Sequence, residues 1–232
     1  MKTSLAAALL LRVLLGRAAA DVPSAPFEVD ESYRFTGQHL SLYDQTKADA
    51  HAIAAGFIAA GLPLVIVQPG LVYGPGDTSA AREAIVQTLT RKLPLVPKET
   101  AYSWGHIDDI AQGHIAAMVR GRAGQNYHVC GPSHTLLEGL EIVSKVSGVP
   151  LPGMRPGPDI MRAMAGFMGL LEYAIPLPPN YSSEFLRVSA GVTYLGSNAK
   201  ARRELGFAPR ALEAGLAETV AHEMGLLGMR SG

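Results

Sequence analysis

Tyr43 and Lys47 stand four residues apart in the stretch YDQTK. On a helix that spacing puts a phenol and an ammonium on one face. A free phenol titrates at about 10 and is a poor base at neutral pH. A nearby cation favours the phenolate and lowers that value. A tyrosine held this way can give a proton to a carbonyl oxygen or take one from an alcohol. Taken alone, the spacing also fits two surface side chains of an ordinary helix.

Other residues invite chemical readings and yield plainer ones. His106, Asp108 and Asp109 sit close together in WGHIDDI, but no further ligand cluster accompanies them, so no metal is expected. Asp108 or Asp109 is read as the cap of a helix running to about Val119 and stopped by Gly121. Cys130 reads as a small buried hydrophobe. Gly74-Pro75-Gly76 lacks the Lys-Ser/Thr of a phosphate loop, and His222-Glu223 lacks the second histidine of a zinc helix. Met161, Met164 and Met168 recur at helical spacing and read as core, with an adaptable substrate wall as the alternative. His51, two turns beyond Tyr43, reads as surface or interface.

The Tyr-Lys pair needs a helix, and residues 42 to 60 supply one. Ala50, Ile53, Ala54 and Phe57 form an apolar stripe, and Gly61 and Pro63 end it. LVIVQ at 64–68 is apolar on both faces, as a buried parallel strand is, and Pro69-Gly70 breaks it. A helix is expected over 79–92 with Ile85, Val86 and Leu89 inward, and a strand over 125–130. Thr135 and Glu138 have capping-box spacing ahead of a helix ending at Gly148. VPLPGMRPGPD then connects to a Met-rich helix near 159–173, and IPLPPNYSS follows as a second connector. Ser197 is read as the cap of NAKARREL, with Gly206 as its stop. Leu212, Leu216, Val220 and Met224 line a last helix from about Ala211 to Leu227. Alternating strands and helices predict an α/β fold.

The 232 residues allow one or two domains, and 48% hydrophobic content allows a packed core. Lys plus Arg is 20 and Asp plus Glu is 20, so nothing points to a nucleic-acid partner. A single cysteine fits a reducing compartment, so a cytoplasmic protein is expected. Residues 1–20 contain no acid and a seven-residue apolar run from Leu5 to Leu11. They fit a helix of the domain, a displaced start, or a signal or transit peptide. The run is too short to span a bilayer, and no membrane partner is expected.

Several motifs in order resemble the extended short-chain dehydrogenase/reductase family, which includes NAD-dependent epimerase/dehydratases and dihydroflavonol-reductase-like ketoreductases. They are VDE at 29–31, YDQTK, LPLVIVQPGLVYGPGD, WGHIDDIAQGHIAAM, QNYHVCG and SNAKARRELGFAPRALEAGLAETV. The resemblance covers residues 25 to 228. It implies a partial Rossmann-like, doubly wound parallel sheet with a small, mostly helical C-terminal substrate lobe. By resemblance, Tyr43 is the catalytic acid/base, and Lys47 lowers its pKa and binds the nicotinamide ribose of NAD or NADP. Pro69, Gly70, Leu71 and Val72 lie against the nicotinamide, while Tyr73 and Gly74-Pro75-Gly76 open towards the substrate lobe. The implied organisation is an ambiguous apolar segment over 1–20, part of an NAD(P)-binding domain over 21–148, and a substrate lobe with C-terminal helices over 149–232. A small-molecule carbonyl or secondary alcohol is the implied substrate, and a homodimer the implied assembly.

The departures matter too. Only Gly16 and Gly37 precede Tyr43, so the family's Gly-x-x-Gly-x-x-Gly turn has no counterpart. The family's upstream Ser/Thr has no assigned counterpart either: Leu14 to Ala18, at the expected spacing, carry no hydroxyl, Ser4 would need a long insertion after it, and Ser24 lies too close to Tyr43. The alternative to an active enzyme is therefore a truncated, catalytically silent relative that acts through binding or association.

Overall fold

A computed structural model of the chain describes residues 28–172, 175 and 182–229. Residues 1–20, Ser24 and most of the IPLPPNYSS connector lie outside the described residues, and so do the expectations attached to them.

Helix α1 spans Leu42–Ala59, within one residue of the expected bounds. Ser41 caps it by accepting from the Asp44 amide at 3.1 Å. Its apolar stripe is not a core face, however. The helix buries no residue; Ile53 is 62% exposed and Phe57 57%. Helical periodicity reports which face is apolar, and only packing decides what covers it.

Strand β1 (Ile66–Pro69) leads through Gly70 alone into β2 (Leu71–Tyr73). Pro69 has no amide hydrogen to give a ladder. Instead of ending there, the extended chain changes neighbours. β1 runs parallel to β4 (Asn126–Val129), pairing Ile66 with Asn126. β2 runs parallel to β3 (Ala101–His106), pairing Leu71 with Trp104. β3 also pairs antiparallel with β5 (Ser133–Thr135) and parallel with β6 (Thr193–Tyr194). Glycine makes the change of neighbour possible. A Cβ on Gly70 would collide with the Ser103 carbonyl oxygen, and one on Gly131 with that of Trp104.

Helices cover the strands through two apolar clusters. α2 (Ala80–Leu89), α4 (Leu136–Ser147) and α8 (Leu212–Leu226) enclose Tyr73, Ile85, Trp104, Leu140, Leu216 and Val220. Val86 is only half-buried, because Thr88 takes the inward place beside Leu89. α3 (Ile107–Arg120) and α7 (Ala199–Leu205) close the other cluster around Ile110, Tyr127, Val129 and Phe207. α5 (Pro158–Leu171) and α6 (Ser183–Val188) pack on each other through Met161, Ala165, Leu186 and Ala190.

Local signals at the helix ends agree with the structure in part. Thr135 and Glu138 form the full capping box, and Gly148 ends α4 in the left-handed conformation. α3 starts one step earlier than expected: His106 is its cap, its Nδ1 3.4 Å from the Asp108 amide. Asp108 and Asp109 fall in the first turn, where the helix dipole favours acids. The cap of α7 is Asn198, not Ser197. The chain is α/β with a Rossmann-like parallel arrangement, and no described helix is long and apolar enough to cross a membrane.

Candidate active site

Tyr43 and Lys47 both lie in the first half of α1. The Lys47 ammonium sits 5.4 Å from the centroid of the Tyr43 ring. A cation over an exposed aromatic face is worth about 0.5–1 kcal/mol, enough to bias the two side chains together. Tyr43 is 67% exposed, so its hydroxyl is reachable from solvent. Among the described residues, no hydrogen bond or ion pair joins either side chain to residues 69–72.

Those four residues form the β1–β2 switch. Pro69 is exposed, and Gly70, Leu71 and Val72 are half-buried. Leu71 packs on the Tyr73–Trp104 cluster and Val72 on the Ile110–Tyr127 cluster. Successive strand residues point to opposite faces, and here both faces are core. What remains for a ligand at this turn is mainly backbone and the Pro69 ring. Tyr73 does not open towards a lobe as expected. It is 1% exposed, edge-on to Trp104 and His106 and tight against Gly215. Burial, and then the Asp109 charge, push its hydroxyl well above the ordinary tyrosine range.

α1 and the switch are linked indirectly. The Tyr194 hydroxyl donates to Asp44 Oδ2 at 3.1 Å. Tyr194 stacks on Tyr102, with centroids 6.0 Å apart and planes at 7°. Tyr102 belongs to β3, the strand that β2 pairs with. Sequence reading missed this group, because Asp44 and Tyr194 lie 150 positions apart and no spacing motif joins them. A second link is the 3.4 Å contact between Asn126 Nδ2 and His51 Nε2. It places His51 against β4 rather than free on the surface.

The VDE segment crosses the far end of β4. Glu31 Oε1 accepts from the His128 amide at 2.9 Å, and Val29 bridges to Gly196. The Ser32 hydroxyl and then its amide hold the Asp30 carboxyl below the usual range. An open depression of about 490 Å³ lies here, lined by Glu28, Val29, Asp30, Ser32, Tyr33 and Ser197, and includes neither Tyr43 nor Lys47.

His106, Asp108 and Glu218 offer ligand atoms within 4.8 Å of one another. Arg210 already supplies the positive charge at this cluster. Its guanidinium reaches Asp109 at 3.0 Å and Glu218 at 2.8 Å, and its amide donates to Asp109 at 2.9 Å. The arrangement is an arginine-centred knot that fastens the start of α3 to the approach of α8.

The model of the NAD dependent epimerase/dehydratase family matches residues 16–130. Sterol demethylase protein B of Methylococcus capsulatus is 26% identical over 185 residues, covering 77% of this chain and 55% of that protein. The crystal structure of gox2253 is similar at a TM-score of 0.71 and 25% identity, over 94% of this chain and 66% of that one. DesIV, a dTDP-glucose 4,6-dehydratase from Streptomyces venezuelae solved with NAD and TYD bound, has a TM-score of 0.64 at 20% identity, over 88% of this chain and 56% of that one. At that identity the likeness to DesIV speaks for the fold. The chain thus spans about half the length of the curated relative it matches. Sequence pattern and parallel-sheet architecture agree: residues 16–130 carry the pattern of the NAD-dependent epimerase/dehydratase family, on a fold shared with its solved members.

Proposed function

We propose that the chain serves an NAD(P)-dependent oxidoreductase or epimerase/dehydratase that acts on a carbonyl or secondary alcohol. The observation that carries this reading is the Tyr43–Lys47 pair, exposed on one helix inside the family match. Tyr43 takes the hydroxyl proton from an alcohol, or returns it to a carbonyl oxygen, while Lys47 holds positive charge beside it. The nicotinamide, when bound, supplies or accepts the hydride. The residues present fit the nicotinamide-ribose end of NAD or NADP. Lys47, exposed beside the Tyr43 ring, can donate to a ribose hydroxyl, and with Leu71 and Val72 packed inward the turn at 69–72 offers its backbone and the Pro69 ring. No described residue is assigned to the pyrophosphate.

Residues 21–148 form the cofactor-binding part in this reading, and 149–232 the substrate lobe with the C-terminal helices. The lobe is apolar: Ile160, Phe167 and Leu170 of α5 are each about 60% exposed. That favours an apolar cyclic ketone or alcohol over a nucleotide sugar, in keeping with the sterol-linked name of the M. capsulatus relative. The expected setting is the cytoplasm and the expected assembly a homodimer.

The test is turnover of apolar ketones and of nucleotide sugars with each nicotinamide nucleotide, comparing the protein with Tyr43→Phe. Loss of turnover in the variant supports the assignment. Turnover equal to the parent's removes Tyr43 from the reaction, and no turnover of any substrate favours the silent alternative.

A further inference from the structure

α1 carries the proposed acid/base pair, yet it buries none of its own side chains. Asp44, Ala48, His51, Ala54 and Ile58 are half-buried and give the helix only a shallow seat, so its polar contacts with the rest of the fold matter: His51 to Asn126 in its middle and Asp44 at its first turn. Asp44 Oδ2 accepts from the Ser41 hydroxyl at 2.7 Å and from the Tyr194 hydroxyl at 3.1 Å. Asp44 immediately follows Tyr43. Tyr194 is in turn held flat against Tyr102, in register across the β3–β6 pair.

We propose that Tyr194, backed by Tyr102, is a positioning residue: through Asp44 it fixes the first turn of α1, and so the place of Tyr43 relative to the β2–β3 strands. The proposal rests on the Tyr43–Lys47 reading for its consequence, but not for its geometry. Three features make the link specific. The acceptor is a carboxylate, so the hydrogen bond is charge-assisted and stronger than a neutral one. The hydroxyl is a dependable donor, since burial and then the Asp44 charge keep it protonated well above the ordinary tyrosine range. The stack on Tyr102 removes the rotational freedom that a half-exposed tyrosine would otherwise have to lose on making the bond.

The experiment uses Tyr194→Phe, which keeps the stack and removes only the hydroxyl, with Asp44→Ala and Asp44→Asn beside it. Amide hydrogen exchange is followed by peptide across α1 and, as an internal reference, across the buried helix α8. Tyr194→Phe and Asp44→Ala are expected to speed exchange in the first half of α1 by roughly tenfold or more, the scale of losing one hydrogen bond to a charged group. Asp44→Asn keeps a neutral acceptor for Tyr194 and is expected to keep about half of the protection that Asp44→Ala loses. α8 is expected not to change. Unchanged α1 exchange in Tyr194→Phe overturns the tether, whatever Tyr43 does. A second readout is turnover at saturating substrate, which Tyr194→Phe is expected to lower with little change in KM. If Tyr43→Phe abolishes turnover and Tyr194→Phe leaves it intact, the tether holds α1 but does not position Tyr43, and the proposal fails. If both variants turn over normally, the Tyr-Lys reading falls and the tether is judged on exchange alone.

Discussion

Gly70→Ala should be one of the most damaging single-methyl changes in the chain. Gly70 is the one residue between β1 and β2, and the backbone crosses there from the β4 side to the β3 side. An added Cβ would stand 3.0 Å from Cys130 Cβ and 3.1 Å from the Ser103 carbonyl carbon, and closer still to the Ser103 oxygen. The obstacle is backbone on a strand held by β2, β5 and β6, so no side-chain rotation relieves it. The β1–β2 turn must move away from β3 instead, straining the Leu71–Trp104 register. Overpacking a tight interior typically costs 1–3 kcal/mol, and a backbone clash belongs at the upper end, at about 3 kcal/mol. For a chain of this size that lowers Tm by roughly 6–12 °C. Thermal unfolding followed by circular dichroism reads it directly. Gly56→Ala is the control, because nothing lies within 4 Å of a Cβ there and alanine favours a helix interior. It should raise stability by about 0.5–1 kcal/mol. A Gly70→Ala protein melting within a degree of the parent would refute the view that this turn is sterically fixed.

Other consequences follow from buried charge and from titration. Glu223 on α8 is fully buried and accepts two hydrogen bonds from Arg82 at 2.8 and 2.9 Å. Arg82→Ala leaves that carboxylate unpaired and should lower stability in denaturant unfolding. Glu223→Gln, which leaves no buried charge, should cost less; the reverse order would contradict the pairing. Burial pushes the Cys130 thiol up to about 11. The unfolded thiol ionises first, so its contribution to stability is complete below about pH 9 and is lost as pH rises towards 11, by about 2–3 kcal/mol at most. Cys130→Ala should flatten stability over that interval, and an equal slope in both proteins would show that the thiol is not protected.

Much of the fold was legible because its signals are local. Thr135–Glu138, Gly148, Gly206 and the Leu212–Leu216–Val220–Met224 stripe each state a helix boundary or face within a few residues, and the structure keeps all of them. What escaped is non-local. β3 is AYSWGH, with no β-branched residue, and it is a strand because β2, β5 and β6 all pair with it and Trp104 anchors it in the core. β2 was hidden behind Pro69-Gly70, which reads as a stop in one dimension and is a change of neighbour in three. The exposed face of α1 shows the opposite error, an apolar period taken for a core. For the site, the spacing of Tyr43 and Lys47 was readable and their contact follows from it. Tyr102, Tyr194 and Asp44 share no pattern, and only folding brings them together.

In the proposed function, Tyr43 and Lys47 work beside a nicotinamide. Fluorescence titration of the chain with NADH and NADPH tests this without knowledge of the substrate. Saturable binding in the micromolar range to at least one of them is expected. Lys47→Ala should weaken that binding about tenfold or more, as for the loss of a charge-assisted hydrogen bond. Saturable binding that Lys47→Ala leaves unchanged, or no binding of either nucleotide, would contradict it.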